Sequence, residues 1–227
     1  MQKKISSDIK DIRSSESVIG KGDKTTNYYK TSKENYNEIM RTNITKEYRK
    51  ASNVELGNVM NTEKKIAKTL KINDRVEVMP QSEANVQFKD HKEDFLNKHQ
   101  ARLINSNKSN LGKVSKEILQ NKNDQIRAKL KLNHWQSTAD VLKWFKGLED
   151  NERSSFIKFG IDQFYPSITQ NLLEKAVEWS ENFVEFTEEE KSIVFSTKQN
   201  LLFWNGQAWV KRGDSKCDVT MGSYNGA

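Results

Sequence analysis

Phe156-Ile157-Lys158-Phe159-Gly160-Ile161-Asp162-Gln163-Phe164-Tyr165-Pro166-Ser167-Ile168 is the stretch on which the reading of this chain turns. Apart from Lys158 and Gly160, its first half is apolar, and the turn-prone Tyr165-Pro166-Ser167 closes it. A short apolar run bounded in this way predicts a buried strand. Along such a strand Asp162 returns to the face of Gly160 but sits about 6.6 Å further on.

On the C-terminal side, residues 172–183 predict a helix, and a second follows the capping box from Thr187 to Glu190 and runs from residue 191 towards 195. Residues 201–204 and 207–211 then flank Asn205-Gly206, the strongest short hairpin signal in the sequence. On the N-terminal side, Ser137 is a candidate cap for a helix over 137–148 that turns Val141, Trp144, Phe145 and Leu148 inward. Val114, Ile118, Ile126 and Leu130 keep helical spacing through a longer segment before it. Residues 75–79 and 84–89 alternate polar and apolar with a turn at 80–83, which predicts a hairpin, and residues 101–104 would complete a small antiparallel sheet. Ile66, Ala67 and Leu70 share one face of a helix over 61–72. Helices alternate with hairpins, so the expected class is α+β.

Residues 1–57 are rich in Ser, Thr, Lys, Asn and Asp and lack a sustained apolar period, which predicts a polar, partly ordered region. Its exception is the neighbourhood of Tyr28-Tyr29, where a short strand and then a helix are expected. Hydrophobic residues make up 34% of the chain and charged residues 30%, so some stretches have the apolar material to fold and others do not. The single cysteine, Cys217, excludes an internal disulfide and a cysteine-rich zinc site and reads as an inert thiol, which suits a reducing compartment, nucleus or cytoplasm. No apolar run approaches the roughly 20 residues that span a bilayer, so no membrane is expected as a partner. There is no Walker-type glycine loop and no His-Glu-x-x-His.

The formal charge is +7, and it is unevenly placed. Residues 88–131 hold eleven Lys or Arg against five acids, nearly the whole excess in one segment. Such a block suits a polyanion, nucleic acid or a triphosphate, and equally describes a solvated lysine-rich face.

The stretch from Phe156 to Ile168 resembles the first palm motif of reverse transcriptases, where an apolar strand ends in a metal-binding Asp and an aromatic five residues later lies beneath the sugar of the incoming nucleotide. Here that aromatic is Tyr165, and Gly160 stands where the Asp would be. Phe88-Lys89-Asp90-His91-Lys92 and Ala101-Arg102-Leu103-Ile104-Asn105 resemble the fingers hairpin of the same family, especially its Penelope-like branch. Asn105-Ser106-Asn107-Lys108-Ser109-Asn110-Leu111-Gly112-Lys113 resembles the segment that follows, and the Asp23-Lys24-Thr25-Thr26 region resembles the part ahead of the fingers. Asp218-Val219-Thr220-Met221-Gly222-Ser223 resembles the loop that opens the next palm motif.

The resemblance implies polymerase-like fingers over residues 58–150 and an incomplete palm over 151–227. It implies Lys89, Lys92, Arg102 and Tyr165 as nucleotide-binding residues, and Lys108, Lys113 and Gly222 as contacts to nucleic acid. The partners it implies are a primer-template of RNA or DNA and a deoxynucleoside triphosphate. The intact family works by two-metal nucleotidyl transfer with Mg²⁺, one ion activating the attacking hydroxyl and one neutralising the leaving pyrophosphate. Gly160 offers no ligand, Asp162 is a weak candidate to replace it and otherwise caps the following turn, and the paired aspartates of the family are expected beyond Ala227. The expected product is therefore a segment of an RNA-directed DNA polymerase of a retroelement that is inactive in this form and carries no metal. The alternative is a non-catalytic nucleic-acid-binding or protein-interaction protein. Lys89 and Lys92 as edge-strand charges, and a structural or phosphate-contacting role for His91, remain open beside these assignments.

Overall fold

The computed structural model of the chain describes residues 16–74, 82–95, 100–106, 108–132, 135, 137–149, 153, 155, 157–161, 164–199, 201–213, 217, 219, 221, 222 and 224. Over these the chain is a mixed α and β structure built from helices and small antiparallel sheets. The elements are β1 (Ser17–Lys21), β2 (Tyr28–Ser32), α1 (Lys33–Glu47), β3 (Tyr48–Lys50), α2 (Asn53–Thr69), β4 (Asn85–Phe88) and β5 (Ala101–Ile104). They continue with α3 (Asn110–Leu130), α4 (Thr138–Lys146), α5 (Phe164–Ser167), α6 (Gln170–Glu181), α7 (Glu188–Ser196), β6 (Leu202–Trp204) and β7 (Gln207–Lys211).

Local chemistry accounts for most element ends. Ser52, Ser137 and Thr187 each accept from the backbone three residues on, while Glu55, Asp140 and Glu190 reach back to complete a capping box at α2, α4 and α7. At Asn205-Gly206 both residues take positive φ, 53° and 68°, the twist that lets β6 fold directly back as β7. The expected hairpin, the helix over 137–148 and the capping box at 187–190 are all present.

The core departs further from expectation. Residues 16–57 are ordered through β1, β2, α1 and β3, and Ile39, Met40, Ile44 and Tyr48 are buried. Ile39 and Met40 are adjacent and Ile44 and Tyr48 follow at intervals of four, a helical spacing whose narrow stripe is diluted by the polar residues between. Ile39, Met40, Ile44 and Tyr48 pack with Val86, Phe88, Phe95, Leu202 and Trp209 in one cluster. β3 pairs with β7, Tyr48 opposite Lys211. The cluster draws residues from each of the ranges 1–57, 58–150 and 151–227, and position 57/58 falls inside α2. β4 pairs with β5, as the small antiparallel sheet required, whereas the other arm of the expected 75–89 hairpin lies outside the described residues.

The expected buried strand at 156–161 is not formed. Residues 157–161 carry no regular structure, and Ile157, Phe159 and Ile161 are 79%, 87% and 70% exposed. An apolar run supplies strand propensity only, and a strand also needs a neighbour for its backbone and a surface for its face. Among the described residues neither meets this segment. The turn expected at Tyr165-Pro166-Ser167 is instead the short helix α5, in whose first turn proline's missing N–H costs nothing. α4 forms where expected but buries no residue fully: Trp144, Phe145 and Leu148 are half-buried and Val141 is exposed. Trp144 of α4 packs on Trp135, ring centroids 4.7 Å apart.

Candidate nucleic-acid interface

The β4–β5 hairpin places Arg102 opposite Gln87, between Ala101 on the core side and Leu103. With its neighbours turned to the core, Arg102 leaves on the other face of the pleat. There its Nη2 lies 3.3 Å from Oδ2 of Asp23, and its Nη1 donates to Sδ of Met221 at 3.2 Å. Asp23 is almost fully buried, with 4% of its side chain exposed, while the Arg102 side chain keeps 27%.

The loop that brings Asp23 is fastened to the end of β4. Gly22 bridges Phe88, the Asp23 N–H donates to the Phe88 carbonyl at 2.6 Å, and the Gly22 N–H donates to Asn27. A side chain at Gly22 would collide with Thr25 and Asp90. Asp90 is the acceptor that orders this corner: Oδ2 receives Thr25 Oγ1 at 2.5 Å, Tyr29 Oη at 2.9 Å and Asn27 Nδ2 at 3.1 Å. The Thr25 hydroxyl, with Tyr29 and Asn27, holds the Asp90 carboxyl below its ordinary range, and burial together with Asp90 pushes the Tyr29 phenol up. His91 Nδ1 sits 3.1 Å from the Asp23 carbonyl, a structural contact. Beneath the corner, Tyr29, Phe88 and Phe95 meet edge to face at 5.0–6.1 Å.

The C-terminal segment closes the same face. The Asn105 N–H donates to the Met221 carbonyl at 2.9 Å, and Asn105, fully buried, donates through Nδ2 to the Leu201 carbonyl. Gly222, at φ +99°, lies so close that a Cβ would stand 2.6 Å from the Ile104 methyl and 2.7 Å from the Asn105 carbonyl oxygen. Lys108 sets its ammonium 5.6 Å from the Tyr224 ring centroid. Lys89 is half-buried and its N–H donates to the Gln100 carbonyl; Lys92 is exposed, as is Lys113 in the first turn of α3.

The structure thus gathers Lys89, Lys92, Arg102, Lys108 and Gly222 around one hairpin. It does not bring Gly160 or Tyr165 there: no hydrogen bond, ion pair or ring contact among the described residues joins either to the hairpin, and Tyr165 packs on Phe164 at 5.8 Å. Asp162 lies outside the described residues. No group of three His, Cys, Asp or Glu among the described residues is placed to hold a metal ion. Asp23 and Met221 as the partners of Arg102, and Asp90 as the acceptor of its corner, had no sequence signal beyond their membership of family-like stretches, since each pairing spans more than sixty positions. Comparison with protein-family models, with curated proteins and with solved structures finds no match for this chain.

Proposed function

We propose that this chain is the fingers and first palm segment of a retroelement-type reverse transcriptase, and that its working surface is a nucleic-acid grip without catalysis. One observation carries the reading: four separate stretches chosen for likeness to that family, around Asp23, Lys89, Arg102 and Gly222, meet on one face of the β4–β5 hairpin. Arg102 is poised for a phosphate. A guanidinium has five N–H donors, a thioether is a weak acceptor, and a phosphate oxygen entering beside Met221 would replace it while Asp23 keeps the fork aligned. Lys89, Lys92 and Lys108 add positive charge around the same opening.

The divalent ions of the family do not fit the residues described here. Gly160 has no donor atom, is exposed, and has nothing within 4 Å of where a Cβ would stand. No nucleotidyl-transfer step is assigned to this chain, and the deoxynucleoside triphosphate of the family enters only as a phosphate ligand of the hairpin.

The test is binding of a labelled primer-template at low salt. Lys89→Ala, Lys92→Ala and Arg102→Ala together are expected to weaken it without dependence on sequence and to flatten its salt dependence. Undiminished affinity in that variant, with folding verified by circular dichroism, refutes the assignment. A second reading, a protein-interaction surface, draws on the exposed Ile157, Phe159 and Ile161 and on α4, which buries no residue fully. Salt separates the two, because phosphate contacts weaken with added salt and apolar docking does not.

A further inference from the structure

α3 has two unlike sides. Leu111, Gly112, Ser115 and Ile126 are buried, and Ile126 packs with Val177, Val184 and Phe186 while Ile118 and Leu130 lie against that cluster. On the other side Lys116, Leu119, Gln120, Asn123 and Arg127 line an open cleft of about 390 Å³ together with Tyr224, whose ring lies beside Gly112 in the first turn of the helix. Lys116, Gln120, Asn123 and Arg127 follow one another at intervals of four, three and four, a single stripe along the helix. Tyr224 is also the residue beneath the Lys108 ammonium, and Met221, three residues before it, caps Arg102. The cleft therefore begins where the hairpin site ends.

From these placements we propose that the α3 cleft is a second binding site, a track for the sugar–phosphate backbone of the nucleic-acid strand that leaves the Arg102 site. The inference rests on the nucleic-acid reading above and extends it along the helix. The chemistry of the wall matches that ligand. Lys116 and Arg127 supply cations at the two ends, Gln120 and Asn123 supply amides that both donate and accept between them, and Leu119 with the Tyr224 ring offers apolar surface to a sugar or base face. Asp124, also in the wall, holds Arg127 only through an exposed pair at 3.6 Å, which a phosphate can displace. Lys116 and Arg127 are about 16 Å apart along the axis at 1.5 Å per residue, the rise of roughly five nucleotides when a strand stacks at the 3.4 Å of B-DNA, and of fewer when it is extended.

The experiment titrates the full chain with labelled single-stranded RNA and DNA of five and fifteen nucleotides across a salt series, read by fluorescence anisotropy. Lys116→Gln with Arg127→Gln is expected to cut the salt slope on the fifteen-nucleotide strands by about 1.4, at about 0.7 for each phosphate released from contact with a single strand. It is also expected to erase most of the affinity gained on lengthening from five to fifteen. Both substitutions sit on the solvent side of α3, and circular dichroism checks that the helix is intact. Gln120→Ala with Asn123→Ala then assigns the strand: loss on RNA alone places the amides on 2′-hydroxyls, and equal loss on both places them on phosphates, each in support of the track. An unchanged slope in the Lys116 and Arg127 variant, while Lys89→Gln with Lys92→Gln still weakens binding, overturns the track and leaves the hairpin reading standing. Failure of the unaltered chain to bind either strand overturns both.

Discussion

Gly222→Ala is the sharpest perturbation of the face that joins the C-terminal segment to the hairpin. Two costs add. A non-glycine residue at φ +99° is strained, by about 1–2 kcal/mol. The added methyl also stands 2.6 Å from the Ile104 methyl and 2.7 Å from the Asn105 carbonyl oxygen, and a backbone oxygen cannot turn aside as a side-chain end can. Overpacking of this kind costs about 1–3 kcal/mol. The sum, roughly 2–5 kcal/mol, falls on the packing of Met221 and Gly222 against the hairpin alone, so the expected outcome is their release with the remaining fold in place. At about 1.4 kcal/mol per factor of ten, opening should become about 30-fold or more frequent. The assay is amide hydrogen exchange at Asn105, whose N–H is buried and donates to the Met221 carbonyl. Gly213→Ala is the control: its φ is +87° and nothing lies within 4 Å of the added methyl, so only the smaller cost applies, and it does not reach Asn105. Unchanged protection of Asn105 in Gly222→Ala would refute the packing on which the shared face depends.

Three further outcomes are expected. Arg49 and the Ser52 backbone and hydroxyl hold Glu55 down to about 2 from 4.5, so its stabilising contribution is complete above about pH 4.5 and is lost as pH falls towards 2. Glu55→Gln should flatten unfolding midpoints over that acid window, and an identical pH profile would contradict the pairing. Burial brings the Lys198 amine from 10.5 to about 8, with Cys217 opposing the shift. Between those values the unfolded chain binds the proton that the folded chain has released, so stability rises with pH there, by on the order of 3 kcal/mol in all. Lys198→Met should abolish the rise in denaturant midpoints from pH 8 to 10.5. Finally, Phe159→Lys removes an apolar side chain that is 87% exposed, and should lower the fluorescence of an apolar-surface dye while leaving the unfolding free energy within about 0.5 kcal/mol. A loss of several kcal/mol would mean that Phe159 is packed after all.

What the amino-acid order determined by itself is the set of features closed within a few residues. Ser137 with Asp140, Thr187 with Glu190, and Asn205-Gly206 each satisfy their own backbone, so their partners are adjacent in sequence and the structure keeps them. The stripe of Ile118, Ile126 and Leu130 on α3 is legible for the same reason, since a helix sets its own period. The candidate site was legible only as residue types: a basic hairpin and a small-residue loop around Gly222. Which of them meet was decided in three dimensions. Asp23 reaches Arg102, Tyr48 pairs with Lys211, and Met221 lands on Asn105 because sheets and tails join residues that are far apart along the chain. The apolar run at 157–161 shows the converse. Propensity belongs to the segment, but burial belongs to whatever surface arrives to cover it, and among the described residues none does.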